Sequence, residues 1–451
     1  MISFTYSINV IIFLGGIIIM ENQVFQKTPF ARLLIGAVIG LGTSVAPLVL
    51  LSFGLTTFNI IRLVGVENAT AVYGMVGGIS GLAIVVFSPL GGFIADKTTV
   101  KMGRRRFWMV AGSIGGLVSM LIFTYAPSIP ILVIGFCLAQ FFYGMVSLSC
   151  YAVVPEQVDP ERFGRVSGLF GAAAPIFVII GSIVLGIFAD VPVQQKLIAI
   201  AIIQVIGGIL SALLIKDTQF TGNVEKKKGF SEGFKNFYPS IKKYPEYTWA
   251  LLTKLFINVT NAGLSMLALF YIMRFHLGEA DIMRVMAYQA PAIMLMVVSG
   301  IFGGFLSDKI KKQKIFVMGA ALITGICMIA FAFSGSVTFV VAGTFFFNFG
   351  FGMYGAVDNA LVNRILPSKE DAGKDIAIMN TTTQLSSAVV QFIAPALIGL
   401  GAKLLGDDGY TFFFIVLAGF SILSALVVIP IPEVGQSKNE KSAEKAELVS
   451  E

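Results

Sequence analysis

Charge is scarce in this sequence. Only 13% of its 451 residues are charged, against 56% hydrophobic, whereas a soluble globular chain carries about 25% charged residues. That deficit excludes a water-covered surface of ordinary composition on a chain of this size. Histidine is scarcer still: His276 stands alone, so a metal site built on histidines is excluded. The three cysteines, Cys137, Cys150 and Cys327, sit inside apolar blocks with no His or Cys partner nearby. They read as small packing residues rather than disulfide or metal ligands. No Gly-x-x-x-x-Gly-Lys-Ser/Thr loop occurs, which argues against ATP drive. No cluster of His, Cys and carboxylates gathers within the apolar blocks, which argues against an enzyme. Neither a catalytic residue nor a cofactor is expected.

What is present is a series of apolar blocks near 20 residues long, the length that crosses hydrocarbon as a helix. Backbone groups in lipid must pair internally, so these blocks read as helices; they lack the alternation of membrane strands. Twelve spans are predicted, at about 33–58, 70–93, 107–126, 129–152, 165–190, 195–215, 248–275, 283–306, 315–334, 336–362, 374–402 and 409–430. The expected fold is an all-α polytopic membrane protein of two six-helix bundles, 31–215 and 248–430. A cytoplasmic linker, 216–247, joins them, and a polar tail, 431–451, reads as disordered. The apolar stretch Met1–Ile19 within the N-terminal segment 1–30 lacks a signal-peptide pattern, and Met20 is the expected initiator.

The net charge of +7 does not point to nucleic acid, because the basic residues occupy the short gaps between spans. With both termini cytoplasmic, 26 of the 32 Lys and Arg fall on the inner face, as the positive-inside rule requires. The runs around Arg104-Arg105-Arg106 and Lys311-Lys312 set that orientation and attract anionic lipid headgroups. Trp108 and Trp249 lie at span ends, where interfacial anchors sit, and neither is placed to stack on a sugar at mid-membrane. A monomer in the cytoplasmic membrane is expected, with lipid and a small solute as its partners.

The halves repeat. Gly91-Gly92-Phe93-Ile94-Ala95-Asp96-Lys97 matches Gly303-Gly304-Phe305-Leu306-Ser307-Asp308-Lys309 at an offset of 212. Tyr143-Gly144 matches Tyr354-Gly355, Pro155 matches Pro367, and Gly164-Arg165 matches Gly373-Lys374. Parallel repeats suggest two bundles that rock about a central site. The repeated Gly-Gly-x-x-x-Asp-Lys segment resembles the signature loop of the major facilitator superfamily. The wider spacing from Asp96 to Gly103-Arg104-Arg105-Arg106-Phe107-Trp108 resembles the glycoside–pentoside–hexuronide cation symporters and the sucrose-type sugar transporters. So do Val154-Pro155-Glu156-Gln157 before Gly164-Arg165-Val166-Ser167-Gly168, and Leu366-Pro367 before Gly373-Lys374-Asp375. Two departures stand out: Phe107 replaces the branch's usual proline, and residues 70–93 hold none of the acidic groups that bind sodium in melibiose-type members.

The resemblance implies secondary transport of a sugar or glycoside, with a proton or sodium ion as coupling partner; export of an amphipathic compound is the alternative. It also implies that Asp96 and Asp308 reach helix N-termini of the opposite half, where partial positive charge awaits. The expected latches are Asp96 with Lys374 and Asp308 with Arg165. Polar residues within spans are costly and tend to face protein or water. The cavity candidates are Gln140, Tyr143, Asn258, Asn261, Gln289, Tyr354, Asn380, Gln384, Ser387 and Gln391, with helix–helix hydrogen bonding as the other reading of each. Asn380, Gln384, Ser387 and Gln391 recur at three- and four-residue steps and share one helix face. Lys254 and Asp358, charged within spans seven and ten, are expected to pair and are the coupling candidates.

The orientation is tested by reporters. Fusions after Gly229 and after Ser437 are expected to read cytoplasmic, and a tag near Gly278 external; a cytoplasmic reading at Gly278 overturns the span count.

Overall fold

The computed structural model describes residues 28–159, 162–217, 244–310, 312–365 and 372–431, and within them all side chains but those of 164–165, 308, 359–365, 372–377 and 380. The N-terminal segment, most of the linker and the tail therefore lie outside the described residues. Eleven helical stretches are long and apolar enough to cross a bilayer, and the first, Phe30–Lys97, holds two crossings. Its 68 residues would extend about 100 Å as one helix, roughly three times the hydrocarbon thickness. The path breaks at Gly65, whose φ of 75° and ψ of 172° lie where only glycine is at ease.

The crossings are α1 (Phe30–Leu50, continued through a π-turn at Leu51–Leu55), α2 (Thr56–Lys97, its first residues completing the first crossing), α3 (Arg104–Thr124), α4 (Ile129–Gln157), α5 (Phe163–Ile187) and α6 (Val193–Leu214). The second half holds α7 (Pro245–Phe275), α8 (Glu279–Ile310), α9 (Gln313–Ala332), α10 (Val337–Ile365), α11 (Ala372–Leu405) and α12 (Tyr410–Val427). Helix α7 is interrupted by a 3₁₀ turn at Gly263–Met266. The π-turn of α1 and the 3₁₀ turn of α7 are related by the same 212-residue offset as the loop motif. Each half thus bends its first helix at one equivalent place.

Many hydroxyl groups within the spans bond back along their own helices. Thr43 donates to the Ile39 carbonyl (2.7 Å), Ser113 to Met109 (2.6 Å) and Ser149 to Met145 (2.8 Å). Others tie neighbouring helices: Asn59 donates to the Phe123 carbonyl (2.8 Å), and Ser424 to Thr253 (2.9 Å). At the end bearing the linker, Asp217 accepts the backbone N–H groups of Arg105 (2.8 Å) and Arg106 (3.3 Å), capping the start of α3.

The two halves meet through α2 against α11 and α5 against α8. In the first seam, Gly74, Gly77, Gly78 and Gly81 let α11 approach so closely that a Cβ at Gly81 would lie 2.8 Å from that of Ala388. The cores show where the halves join. Near the linker face, one cluster around Leu41, Met109 and Cys150 belongs wholly to the first half, and another around Tyr247, Val317 and Val357 wholly to the second. At the far face a single cluster runs through both, from Leu55, Ile60 and Leu185 to Ile272, Met283 and Tyr410. Among the described residues, the halves share a core at the far face and none at the linker face.

Two ion pairs cross between halves at the closed end. Lys196 at the start of α6 meets Glu279 at the start of α8 (2.8 Å) and also donates to the Ala189 carbonyl (2.8 Å). Arg284 of α8 meets Asp190 in the α5–α6 loop (3.0 Å). They differ in weight. The Asp190 and Arg284 side chains are 80% and 45% exposed, and such surface pairs contribute about 0–1 kcal/mol. The Lys196 side chain is 2% exposed, and removing its partner strands a buried charge. With Glu279 27% exposed, we set that loss at about 1–3 kcal/mol, below the range for fully buried pairs. Opening the far face would return Lys196 to water. Glu279→Gln is therefore expected to raise severalfold the labelling of a cysteine at Ala268 by a membrane-impermeant maleimide from the far face, in a background lacking the native cysteines. Asp190→Asn is expected to change it less than twofold. Equal labelling in both variants would remove the Lys196 pair as the closing contact.

Candidate functional site

Between the halves lies a cavity of about 650 Å³, within the range that encloses drug-sized ligands. Helices α1, α2, α4, α5, α7, α8, α10 and α11 all contribute to its wall. Both bent first helices face it, through Ser52 and Phe53 of the π-turn and Leu264 and Ser265 of the 3₁₀ turn. Among the described residues, no Asp, Glu, Lys, Arg or His lines it.

Six of the ten cavity candidates are on this wall: Gln140, Asn261, Gln289, Gln384, Ser387 and Gln391. Their side chains are unequally free. Gln391 is pressed against Gly77 of the α2–α11 seam. The Gln289 amide donates to the Tyr271 hydroxyl (2.7 Å). The Gln140 side-chain carbonyl is buried without a partner. Asn261 and Gln384 stand on the wall as amides with both donor and acceptor capacity.

Three candidates lie elsewhere, each for a packing reason. Tyr143 is fully buried within the first half, its ring covering the bare backbone of Gly116. Asn258 turns back along its own helix and donates to the Lys254 carbonyl (2.7 Å). Tyr354 donates to Asp358 Oδ1 (2.9 Å). The Asn380 side chain lies outside the described residues. Asn348, Tyr271 and Phe351 are on the wall as well. Asn348 carries the same signal as the others, an amide inside a span; nothing in the spacing distinguishes the two aromatics from core residues.

Lys254 and Asp358 come together, Nζ to Oδ2 at 3.1 Å, with side chains 9% and 3% exposed. Lys254 lies about 14 Å along α7 from Pro245, and Asp358 about 10 Å before the end of α10. Asp358 has both oxygens occupied, one by the ammonium and one by the Tyr354 phenol. The group is absent from the cavity wall but borders it, because Tyr354 stacks on Phe351, a wall residue, with ring centroids 6.2 Å apart.

At the linker face, Asp96 is held within its own half: its carboxylate lies 3.3 Å from Arg105, which also meets Glu156 at 2.7 Å. The side chain of its expected partner Lys374, and those of Asp308 and Arg165, lie outside the described residues.

The Major Facilitator Superfamily profile matches residues 66–391. No curated protein matches the sequence. Among solved structures, the fold is similar to that of a mutant of the nucleoside transporter NupG, at 12% identity over 88% of this chain and 99% of the other, with a TM-score of 0.71. It is similar also to the D-xylose–proton symporter, at 13% identity over 90% and 98% of the chains, TM-score 0.68. A third is a bacterial homologue of the human lysosomal transporter Spinster in an inward-facing, unoccupied conformation, at 14% identity over 90% and 98%, TM-score 0.63. The profile covers most of the chain, and the protein is a multi-pass membrane transporter belonging to the Major Facilitator Superfamily.

Proposed function

We propose that this transporter moves a small neutral solute, a sugar or glycoside, by alternating access, with a proton as the coupling ion. The observation that carries the reading is the central cavity, walled by both halves, furnished with amide side chains and, among the described residues, free of acidic and basic side chains. An amide offers one acceptor and two donors, which match a hydroxyl's own donor and acceptor capacity. A charged solute would find no counter-charge there and would remain unpaired in a low-dielectric wall. The apolar share of the wall favours the second reading, export of an amphipathic compound.

With the linker face assigned to the cytoplasm by its basic residues, the conformation is inward-open. Turnover then requires the linker face to close and the far face to open. On closing, Asp96 exchanges Arg105 for the N-terminus of α11 at Lys374, and Asp308 reaches that of α5 at Arg165. Neutralising Asp96 or Lys374 is expected to reduce transport at least tenfold without loss of membrane insertion, with partial recovery on charge exchange. Normal transport in both single variants would remove the latch.

The coupling site we assign is Asp358. Protonation would abolish its attraction for Lys254, and the bend in α7 between Lys254 and the wall would then be free to move. In proteoliposomes, Asp358→Asn is expected to abolish solute-driven proton uptake while solute exchange survives within about threefold. Unchanged proton-coupled uptake would dismiss the assignment. Loss of folded protein would make the pair a static brace instead.

A further inference from the structure

The cavity differs in chemistry along its depth: its amides lie toward the opening, among apolar side chains such as Leu48, Ile293 and Phe351, and its far end is more uniformly apolar. Phe136, Val178, Leu267, Ile282 and Met286 all line it within about 5–14 Å of the far-face ends of their helices. Gln140, Asn261 and Gln384 lie about 16 Å or more from those ends, toward the opening. The apolar layer is continuous with the core that closes the far face: Ile282 and Met286 are buried in it, and the Phe136 ring packs 5.4 Å from that of Phe123. Its polar groups are few. Gln289 and Tyr271 engage each other, the Tyr73 hydroxyl donates to the Ser52 carbonyl (3.2 Å), and Ser182 and Thr56 contribute small hydroxyls.

Neither a bare sugar nor a bare hydrocarbon fits both layers. A hexose filling the apolar end would bury hydroxyls without partners, at about 1–3 kcal/mol each. A hydrocarbon would seal Asn261 and Gln384 away from water with nothing to bond. A molecule with one hydroxylated end and one apolar end meets both conditions. Resting on the reading of the cavity as a site for a neutral hydroxylated solute, we propose that the substrate is a two-part molecule: a hydroxylated ring bonded to an apolar group of aromatic size. The ring seats on Gln140, Asn261 and Gln384. The apolar group points to the closed end, among Phe136, Val178, Leu267 and Met286. This orientation also has a consequence for turnover, because the apolar group touches the side chains that must separate when the far face opens.

The test uses the full chain, purified and reconstituted, with the phenyl β-glycosides of glucose, galactose and xylose, the three free sugars, and phenyl β-glucuronide. At least one phenyl glycoside is expected to bind tenfold or more tightly than its free sugar, and the glucuronide, carrying a carboxylate, not to bind. Phe136→Ala is expected to bring the ratio of phenyl glycoside to free sugar below threefold by weakening the glycoside alone. Gln384→Ala is expected to weaken both and leave the ratio unchanged. If Phe136→Ala fails to fold, Met286→Ala and Val178→Ala carry the same measurement. Equal binding of free sugar and glycoside would overturn the proposal and leave a sugar transporter standing. Binding of a neutral apolar alcohol such as 4-phenylbutanol, with none of the six sugars bound, would overturn the hydroxylated-solute reading and the proposal with it.

Discussion

Everything that moves in this molecule depends on one shared apolar core. Near the linker face each half buries its own side chains against itself, around Met109 in one and Val317 in the other. Among the described residues, the one hydrophobic cluster that both halves share lies toward the far face, from Leu55 and Leu185 to Ile272 and Tyr410. Burial of apolar surface is non-directional and scales with area, so such a contact holds the halves together without fixing their angle. Direction comes from the seams. The glycine face of α2 is shaped to Ala388 and Pro395 of α11, while α8 meets the α5–α6 corner through the buried Lys196–Glu279 pair. A dry, close-fitting seam suits a pivot. An ion pair whose lysine can recover its hydration on separation suits a contact made to break.

The halves repeat in backbone and differ in chemistry. The bends at Leu51–Leu55 and Gly263–Met266 occupy equivalent places, as do Tyr143 and Tyr354. At the repeat positions of Lys254 and Asp358, however, the first half carries Gly42 and Ser147. Gly42 there accommodates the ring of Phe177, and Ser147 donates to its own helix at the Gly144 carbonyl (2.9 Å). The hydroxyl of Tyr143 is left without a partner, where Tyr354 has Asp358. One half has therefore filled with side-chain packing the space in which the other keeps two charges. A buried pair that only braced the helices could be replaced by packing with little loss, as the first half illustrates. The buried pair thus distinguishes the second half from the first, and the proposed coupling role rests on that asymmetry.

The architecture was legible in the sequence because the bilayer leaves few choices. Length and polarity decide where α3 to α6 and α8 to α12 cross, and the repeated Asp96 and Asp308 loops mark the two halves. The single long path Phe30–Lys97 was less legible, since Gly65 looks like many other glycines in the sequence. The site was half legible. A polar side chain inside a span tends to bond to something: Gln140, Asn261 and Gln384 stand on the cavity wall, whereas Asn258 and Tyr354 bond within the second half and Tyr143 is packed within the first. Hydrogen-bonding capacity is encoded in the residue type, but whether a neighbour has already satisfied it depends on the packing. Lys254 and Asp358 were legible because charge at that depth allows few solutions. Lys196 carried a similar signal, but at the edge of a span, where a lysine can equally reach water.

The separation of the charges from the cavity sets the kind of coupling available. Neither Lys254 nor Asp358 is among the residues on the wall, so in the proposed coupling solute and proton would not compete for one group. Any exchange of free energy between them has to pass through side chains with two arrangements, and coupling requires that both sites bias the same element. Two routes connect them. Along α10, Asp358 bonds Tyr354, which stacks on Phe351 at the cavity wall. Along α7, Asn258 bonds the Lys254 carbonyl, Asn261 reaches the wall, and the 3₁₀ turn begins two residues later. Of the two, α7 alone contains a break in its hydrogen-bond ladder between the charge and the far face. A rigid α10 can transmit a displacement, but α7 can hold two shapes. Under the proposed coupling, the bend at Gly263–Met266 is thus the element on which solute and proton would both act.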